Sequence, residues 1–450
     1  MPESLLNVWQ KTVARHGARI ALTQATDNAR CTFRELDARA RAWAEQHTGA
    51  RLRGRAVAFS TSNGIAWFEI LLGLWHADAV AVPLDPGEPP EELRSLTAAL
   101  RGAAWWDGAA LQTTAGKPRR FDAEDCLIKL TSGSTGAPQP LVFTAAQLLA
   151  DGRQVMRGMG ITARDVNYAL IPCGHSYGLG NLVLPLVAAG VPLVCGSAPF
   201  PHAIAEDFAR WKPSVFPGVP ALWRALAASE VQLRGLRLAI SAGAPLSAEV
   251  AGEFFARHGM HVHSFYGSSE TGGVSYDRNG RDTLAGRVGH ALPGVKLQVL
   301  AGQRLLVTSA AVLTRGNRRR RGARGQWVMA DLVERDARGS LQLLGRRGTF
   351  VKIAGRRVNL ADISVRLRAL PGVSDAWVAV SEGAESVLLG AALATTLSPA
   401  EIRAAARAHL PAWKMPKVLL TFPALPLTPR GKLETAALRQ GLFRGASARR

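Results

Sequence analysis

An apolar run that passes directly into a loop of hydroxyl residues and glycines places the strongest limit on how this chain folds. Residues 126–130 have the composition of a buried strand, and Ser, Thr and Gly occupy every position from 131 to 136. Glycine lets backbone N–H groups approach an anion closely, while Ser and Thr hydroxyls donate further hydrogen bonds with little bulk. The pattern predicts a phosphate-binding loop at the end of a strand.

The residues after this loop predict a helix, because Thr144 and Gln147 have the spacing of a capping box. Strand, loop and helix would then follow one another as in many nucleotide-binding units. From the loop alone, a solvent-facing turn is an equally good interpretation. Its spacing does not match the Walker loop, residues 178–180 lack the third glycine of a dinucleotide fingerprint, and no G-x-S-x-G elbow is present.

Further motifs follow the loop in a fixed order. They are 171–178 (IPCGHSYG), 265–271 (FYGSSET), 329–332 (MADL), 345–346 with 352–355 (GR and KIAG), and 426–433 (PLTPRGKL). Together with the loop they resemble the signatures of the adenylate-forming superfamily, which includes acyl- and aryl-CoA ligases, peptide-synthetase adenylation domains and luciferases. The matching segments span 129–433, which is most of the chain.

The resemblance implies an acid–thiol ligase that releases AMP. ATP and a carboxylic acid would form an acyl-adenylate, and a pantetheine thiol of coenzyme A or of an acyl carrier protein would then displace AMP. The stretch 177–181 is similar to aryl-CoA ligases, so an aryl acid is favoured over a fatty acid. ATP and Mg²⁺ are the implied cofactors.

The same resemblance assigns residues to the nucleotide and the metal. The implied nucleotide-binding residues are Thr131, Ser132, Gly133, Ser134, Thr135, Gly136, Tyr266, Gly267, Ser269, Asp331 and Arg346. Magnesium is assigned to Glu270 and Thr135, and Glu270 suits it because Mg²⁺ prefers one or two carboxylates beside phosphate oxygens. Asp331 has two acceptor oxygens for the ribose hydroxyls. Without the resemblance, Glu270 is interpretable as an exposed loop carboxylate and Asp331 as a turn or cap aspartate.

Catalysis is assigned to Lys432, His175 and Glu270, with Lys432 as the principal residue. Its ammonium can bridge the acid and the phosphate as charge redistributes. The implied acid pocket consists of His175, Tyr177, Gly243, Ala244 and Gly267, and the thiol path and hinge of Gly348, Lys352 and Gly355. A histidine in an apolar stretch is also a common core residue, as is an aromatic residue at a strand end such as Tyr266, and Arg346 is also interpretable as a solvated side chain.

Several positions depart from the family pattern. Gln139 replaces the usual lysine of the phosphate loop, Gly348 replaces the usual hinge Asp or Lys, and Asn359 stands where relatives often have glutamate. Backbone donors remain in the loop, and glycine is the most permissive hinge residue. The basic run 318–321 is interpreted only as a solvated loop.

The order of elements predicts an α/β fold in which helices cover parallel or mixed sheets. Thr32 and Glu35 form a second capping box, and residues 56–60 have the composition of a buried strand. A change of composition near residue 345 predicts two domains. Residues 1–345 would form the ATP- and acid-binding domain, and residues 346–450 a small mobile α+β lid that carries the catalytic lysine.

Composition agrees with a soluble cytoplasmic enzyme. The four cysteines form no C-x-x-C pair, which favours a reducing compartment, and residues 1–17 lack the apolar core of a signal peptide. Residues 166–205 contain no charged side chain except histidine, but prolines at 172, 185, 192 and 199 interrupt them. This segment is predicted to form buried strands and a helix without spanning a membrane.

The net charge of +21 favours anionic partners, which include ATP, coenzyme A and an acidic acyl carrier protein. Two other classes stay open. A basic chain with 11 tryptophans is compatible with nucleic-acid binding, although the tryptophans are scattered and no binding module is present. Gln139 and Gly348 motivate a non-catalytic scaffold, against which the retained Glu270, Asp331, Arg346 and Lys432 argue.

Overall fold

The computed structural model describes residues 3–84, 86–88, 90–131, 139–314, 325–346, 350–353, 356–381, 388–407, 409–410, 414–428 and 433–444, with the backbone alone at 131, 346, 350–353, 356–359 and 362. The chain divides into two compact units. The first comprises Met1–Ala301, Leu305–Met329 and Glu334–Gln342, and the second comprises Gly302–Arg304, Ala330–Val333 and Leu343–Arg450. The predicted division of function at residue 345 stays a prediction.

The helices of the first unit are α1 Leu5–His16, α2 Phe33–Gln46, α3 Ile65–His76, α4 Pro90–Ala99, α5 Ala145–Met159, α6 Ser176–Gly178, α7 Leu184–Ala189, α8 Pro201–Trp211, α9 Pro220–Ala227, α10 Ala248–His258 and α11 Arg281–Leu284. A 3₁₀-helix covers Thr48–Ala50, and a π-helix, Leu179–Val183, connects α6 to α7. The second unit contributes α12 Leu360–Arg368, α13 Pro399–Ala406 and α14 Thr435–Phe443.

The strands of the first unit up to residue 291 are β1 Ile20–Gln24, β2 Arg30–Thr32, β3 Ala56–Phe59, β4 Val80–Pro83, β5 Ala104–Trp106, β6 Leu111–Thr113, β7 Asp125–Thr131, β8 Gln139–Thr144, β9 Asn167–Ala169, β10 Leu193–Cys195, β11 Val215–Gly218, β12 Leu238–Ser241, β13 Val262–Ser268, β14 Gly272–Tyr276 and β15 His290–Ala291. β16 Lys296–Leu300 also belongs to the first unit, and residues of both units occur in β17 Arg304–Thr308, β18 Gln326–Arg335 and β19 Leu341–Arg346. The remaining strands are β20 Phe350–Ile353, β21 Arg356–Asn359, β22 Val373–Val380, β23 Leu389–Thr395 and β24 Val418–Phe422.

Two sheets organise the described part of the first unit. The larger has the strand order β15-β14-β13-β12-β11-β9-β10-β1-β2, and the run from β13 to β1 is parallel. The smaller has the order β6-β5-β3-β4-β7-β8, with parallel pairs in its centre. Apolar strands such as β3 and β12 are buried along their whole length, as expected where helices cover both faces. The predicted α/β class is confirmed.

The predicted strand, loop and helix need one correction. The strand is present as β7 and the Thr144 capping box is present at the start of α5, but a second strand, β8, separates the loop from the helix. β8 pairs antiparallel with β7, from Asp125 opposite Thr144 to Thr131 opposite Gln139. The loop therefore connects two strands of a hairpin, and the helix begins one strand later.

A buried aspartate ties the first three helices together. The Thr32 capping box starts α2, and on this helix Asp37 accepts hydrogen bonds from Trp9 Nε1 at 2.8 Å and His76 Nε2 at 3.0 Å. Burial by itself raises the pKa of Asp37, but the hydrogen bonds from His76 and Trp9 and the charge of Arg41 outweigh it and hold this pKa below its usual value. The carboxylate therefore contributes stability above its unfolded-state pKa, and that contribution disappears as the pH falls below about 4.

Asp37→Ala is expected to lower the free energy of unfolding by about 3 kcal/mol, because Trp9 Nε1 and His76 lose their buried acceptor. Urea denaturation at pH 7 measures the change. Arg41→Ala is the matched control, since its half-exposed side chain also contacts Asp37 and such a pair contributes below about 1 kcal/mol. Equal losses for the two variants would contradict the structural role given to the aspartate.

The second unit has its own core. β22 pairs antiparallel with β23, β23 pairs parallel with β24, and the backbones of β20 and β21 form a separate hairpin. Buried side chains from α12, β22, β23 and α13 pack together, including Ile363, Leu393 and Ile402. This α+β composition confirms the predicted class of the C-terminal part, whereas its motion as a lid stays a prediction.

The uncharged stretch 166–205 forms β9, the helical segments α6 and α7 with the π-helix between them, and β10, as predicted. Its central residues are buried within the first unit, including Leu179, Leu182 and Leu186. In the part of the chain that is described, no helix is both long and apolar enough to cross a membrane.

Candidate active site

Three of the predicted motifs lie at one edge of the larger sheet. β9, β12 and β13 run parallel in this sheet, so their carboxyl ends share an edge. The His175 segment follows β9, Gly243 and Ala244 follow β12, and the Glu270 loop follows β13. Ligands of open α/β sheets bind in the crevice outside this edge.

The His175 segment is held by contacts to its backbone. Asn63 accepts a hydrogen bond from the Cys173 N–H at 2.9 Å and donates one to the Ile171 carbonyl at 2.9 Å. Gly178 lies so close to the Pro172 carbonyl that any β-carbon there would collide with it. The turn that presents His175 therefore has one conformation, set by an asparagine more than 100 residues away.

Tyr177 is oriented through its hydroxyl. The hydroxyl lies 3.2 Å from the carbonyl oxygens of both Gly218 and Ile240, to which it donates. Burial raises the pKa of this phenol, so it stays a donor across the physiological range. The ring lies 5.9 Å from that of Phe265, tilted by 37°. Tyr177 thus places a fixed aromatic surface beside the strand ends.

Gly243 and Ala244 are exposed just beyond β12, and Gly243 has a φ of +88°, which favours glycine. Neither residue has a side chain larger than a methyl group, so both add little bulk at the carboxyl end of β12. His175 and Tyr177 are intermediate in exposure. The predicted acid-pocket residues are therefore at least partly accessible at one sheet edge.

The Glu270 loop is the tip of a tight hairpin between β13 and β14. Ser268 pairs with Gly272, and a β-carbon on Gly267 would collide with the Gly272 carbonyl, so glycine is required there. The Thr271 side chain is buried and lies 3.1 Å from the Ser268 hydroxyl. Outside the hairpin, the Leu313 N–H donates to the Glu270 carbonyl at 2.8 Å. Glu270 is thus carried on a rigid support with its side chain half-buried.

A direct hydrogen bond joins two of the predicted motifs. The Ser176 hydroxyl donates to the Ser269 hydroxyl at 3.0 Å, which links the residue after His175 to the residue before Glu270. Tyr266, the predicted adenine platform, is only 8 % exposed, and its backbone pairs with Ser275. The structure therefore brings the histidine and glutamate motifs together, whereas the stacking role of Tyr266 stays a prediction.

The other predicted residues lie on other elements. Asp331 lies in β18 and is half-buried. Thr131, Arg346 and Lys352 are described by their backbones alone, at the end of β7, at the end of β19 and within β20. Outside the described residues lie Ser132, Gly133, Ser134, Thr135, Gly136, Gly348, Gly355 and Lys432.

Two buried charged residues near the hairpin were not predicted. Lys129, on β7, is 4 % exposed with its ammonium 4.3 Å from the centroid of the Phe143 ring, and Asp151, on α5, is 3 % exposed. Asp151 accepts a hydrogen bond from the Gly273 N–H at 2.8 Å. Two features of the sequence indicate that these residues are buried: Lys129 lies within an apolar strand, and Asp151 lies on the helix face that it shares with Leu148 and Val155.

The residues at this edge fit a metal that arrives with the nucleotide. Among the described residues, no three His, Cys, Asp or Glu side chains are clustered as a metal site. Magnesium bound with a nucleotide needs only one or two carboxylates, since phosphate oxygens and water complete its six ligands. The single half-buried carboxylate of Glu270 suits this arrangement.

Comparison with known proteins decides the family. The family model described as AMP-binding enzyme matches residues 9–101 and 96–309, which is well over half of the chain. This protein is a member of the AMP-binding enzyme family. The resemblance to the adenylate-forming superfamily is thereby confirmed.

Named relatives of this AMP-binding enzyme include aryl-CoA ligases. The chain is 29 % identical over 351 residues to anthranilate–CoA ligase of Pseudomonas aeruginosa, covering 71 % of this chain and 68 % of the relative. It is 27 % identical over 354 residues to benzoate–CoA ligase of Thauera aromatica, covering 72 % and 67 %. The fold matches ATP-bound MatB of Rhodopseudomonas palustris with a TM-score of 0.85, covering 98 % of this chain and 99 % of that one at 22 % identity.

Proposed function

We propose that this AMP-binding enzyme joins a carboxylic acid, with an aryl acid favoured, to the thiol of coenzyme A at the expense of ATP. In the first step a carboxylate oxygen attacks the α-phosphorus, the bond to the β-phosphate oxygen breaks, and pyrophosphate leaves. In the second step the pantetheine sulfur attacks the acyl carbon, AMP leaves, and the thiol proton is released. Family membership and the names of the aryl-CoA ligase relatives support this reaction class.

One observation carries the proposal: the Ser176–Ser269 hydrogen bond at the sheet edge. It connects the segment that offers His175 and Tyr177 to the hairpin that offers Glu270. An acid lying against Tyr177 is then close to a carboxylate suited to the metal of a metal–nucleotide. Adenylation depends on such positioning and on charge neutralisation more than on a protein nucleophile.

The remaining roles complete the proposal. The loop residues Thr131, Ser132, Gly133, Ser134, Thr135 and Gly136 hold phosphates, and Thr135 assists Glu270 with magnesium. Gly267 and Ser269 lie beside adenine with Tyr266, while Asp331 and Arg346 hold the ribose. Magnesium supplies charge neutralisation at the phosphates when bound. Lys432 joins the acid to the α-phosphate in the first step, and Gly348, Lys352 and Gly355 serve the hinge and the thiol path in the second.

A planar ring is the acid that the proposed pocket residues would favour. Tyr177 cannot swing freely, because its hydroxyl is held by two backbone carbonyls. Gly243 and Ala244 are small and exposed, and the largely buried ring of Phe265 lies 5.9 Å from that of Tyr177. Offset or edge contacts between aromatic rings contribute about 0.5–1.5 kcal/mol beyond buried area, which a fatty acyl chain does not receive.

The proposal is tested by ATP–pyrophosphate exchange with a panel of benzoic, anthranilic, cinnamic and straight-chain acids. We expect aryl acids to support exchange at least about tenfold better than aliphatic acids of similar size. Coenzyme A and a phosphopantetheinylated carrier protein are then compared as acceptors. The net charge of +21 is compatible with either anionic acceptor.

Two results of these assays would each favour a different function. Nucleotide binding without exchange for any acid would favour the non-catalytic scaffold. Salt-sensitive retention on DNA with no exchange would favour the nucleic-acid-binding alternative.

A further inference from the structure

Lys129 and Asp151 are fully enclosed charged residues to which the proposed reaction assigns no role. An ammonium or carboxylate inside a protein is strongly destabilising unless it has a charged partner or hydrogen bonds. Apolar side chains at these two positions would remove that cost. The contacts of the two residues indicate why charged side chains occupy these positions.

Asp151 contacts two of the segments that form the site edge. It accepts the Gly273 N–H at 2.8 Å, which fixes the second strand of the Glu270 hairpin. Its carboxylate also lies against Gly272, where a β-carbon would collide with it, and a β-carbon on Gly180 would lie 3.2 Å from Asp151 Oδ2. Gly180 belongs to the π-helix that follows α6, the helix of Tyr177. One buried carboxylate thus holds the hairpin and lies close to this π-helix.

Lys129 supplies the opposite charge. Burial lowers the pKa of its ammonium, and the carboxylates of Asp151 and Glu270 oppose this change. Burial likewise raises the pKa of Asp151, opposed by Lys129 and the Gly273 N–H. The Phe143 ring, 4.3 Å from the ammonium, provides further stabilisation of the cation. Lys129 is thus a buried cation whose charged form is favoured by the charges of Asp151 and Glu270 and by the Phe143 ring.

We propose that Lys129 and Asp151 form a positioning pair that holds the Glu270 hairpin in the geometry required for the metal–nucleotide. Asp151 holds the hairpin through the Gly273 N–H, and Lys129 compensates the charges of Asp151 and Glu270. The inference rests on the proposed function, because it takes Glu270 as the carboxylate that meets the metal. Loss of residues that support a metal ligand commonly weakens metal affinity 10- to 100-fold.

The test uses Lys129→Met, Asp151→Asn and the double variant Lys129→Met/Asp151→Leu. Binding of Mn²⁺ in the presence of α,β-methylene ATP is followed by electron paramagnetic resonance, a measurement that needs no turnover. The Mg²⁺ dependence of pyrophosphate exchange is measured in parallel, together with the melting temperature. Each variant is expected to need about tenfold more metal, with a smaller effect on the maximal rate.

The double variant separates positioning from simple stability. Replacing a buried ion pair by apolar residues commonly restores stability, so its melting temperature is expected to return towards wild type while its metal requirement stays high. Wild-type Mn²⁺ affinity in the double variant would show that the pair is only structural. Failure of the unaltered protein to catalyse exchange would refute the proposed function instead, and Mn²⁺ binding would still decide the role of the pair.

Asp165 and Arg237 provide a matched control pair. Arg237 Nε lies 2.6 Å from Asp165 Oδ1, and each residue lies within two positions before a strand of the same sheet, whereas the site lies beyond the strands' carboxyl ends. Asp165→Leu/Arg237→Met is expected to change the melting temperature without changing the metal requirement. An equal rise in metal requirement for this control would overturn the assignment to Lys129 and Asp151.

Discussion

Lys432→Ala is expected to reduce carboxylate-dependent pyrophosphate exchange by at least about 100-fold, because the first step would lose the cation proposed to bridge the acid and the α-phosphate. Thioester formation from supplied acyl-adenylate is expected to persist, since that step forms no bond to phosphorus. The two half-reactions are measured separately, by isotope exchange and by release of AMP from synthetic acyl-adenylate. The role follows from the 426–433 motif.

Lys417→Ala is the control for this variant. Lys417 is an exposed lysine of the same unit, next to β24, and its substitution by alanine removes an equal charge. Its exchange rate is expected to stay within about twofold of wild type, because exposed charges away from a site have small effects. Equal loss of both half-reactions in Lys432→Ala would contradict a role confined to adenylation.

Glu270→Gln is the second change with a large expected effect. Glutamine preserves the size of the side chain but removes the charge, so a hard divalent cation is held less tightly. We expect exchange to fall about 100-fold at low Mg²⁺ and to recover partly as Mg²⁺ is raised. Initial rates against free Mg²⁺ at saturating ATP measure the effect.

Glu249→Gln serves as the control here, since this glutamate is exposed in the first turn of α10. It removes the same charge from the same unit and is expected to leave the Mg²⁺ dependence unchanged. A Glu270→Gln enzyme with a wild-type Mg²⁺ profile would remove Glu270 from the metal site. It would also remove the reason for assigning Lys129 and Asp151 a positioning role.

The local elements were predictable because their signals lie within a few residues. The capping boxes at Thr32 and Thr144 start helices as expected, and the apolar stretches at 56–60 and 126–130 correspond to β3 and β7. β8 was missed, because the capping box after it was assigned directly to the end of the loop. β8 is a strand because it pairs antiparallel with β7, and the capping-box pattern does not indicate that pairing.

The order of the motifs in the sequence was enough to predict the family and the α/β class, because each motif is recognised by its own residue types and spacing. Only the tertiary structure decided which of these motifs meet. Ser176 contacts Ser269 across 93 residues, and Asp151 holds Gly273 across 122 residues. Whether Lys129 is solvated or buried depends on the strands and helix that cover it. The physical reason is that contacts between residues far apart in the sequence are set by packing, and a local pattern does not specify the partner.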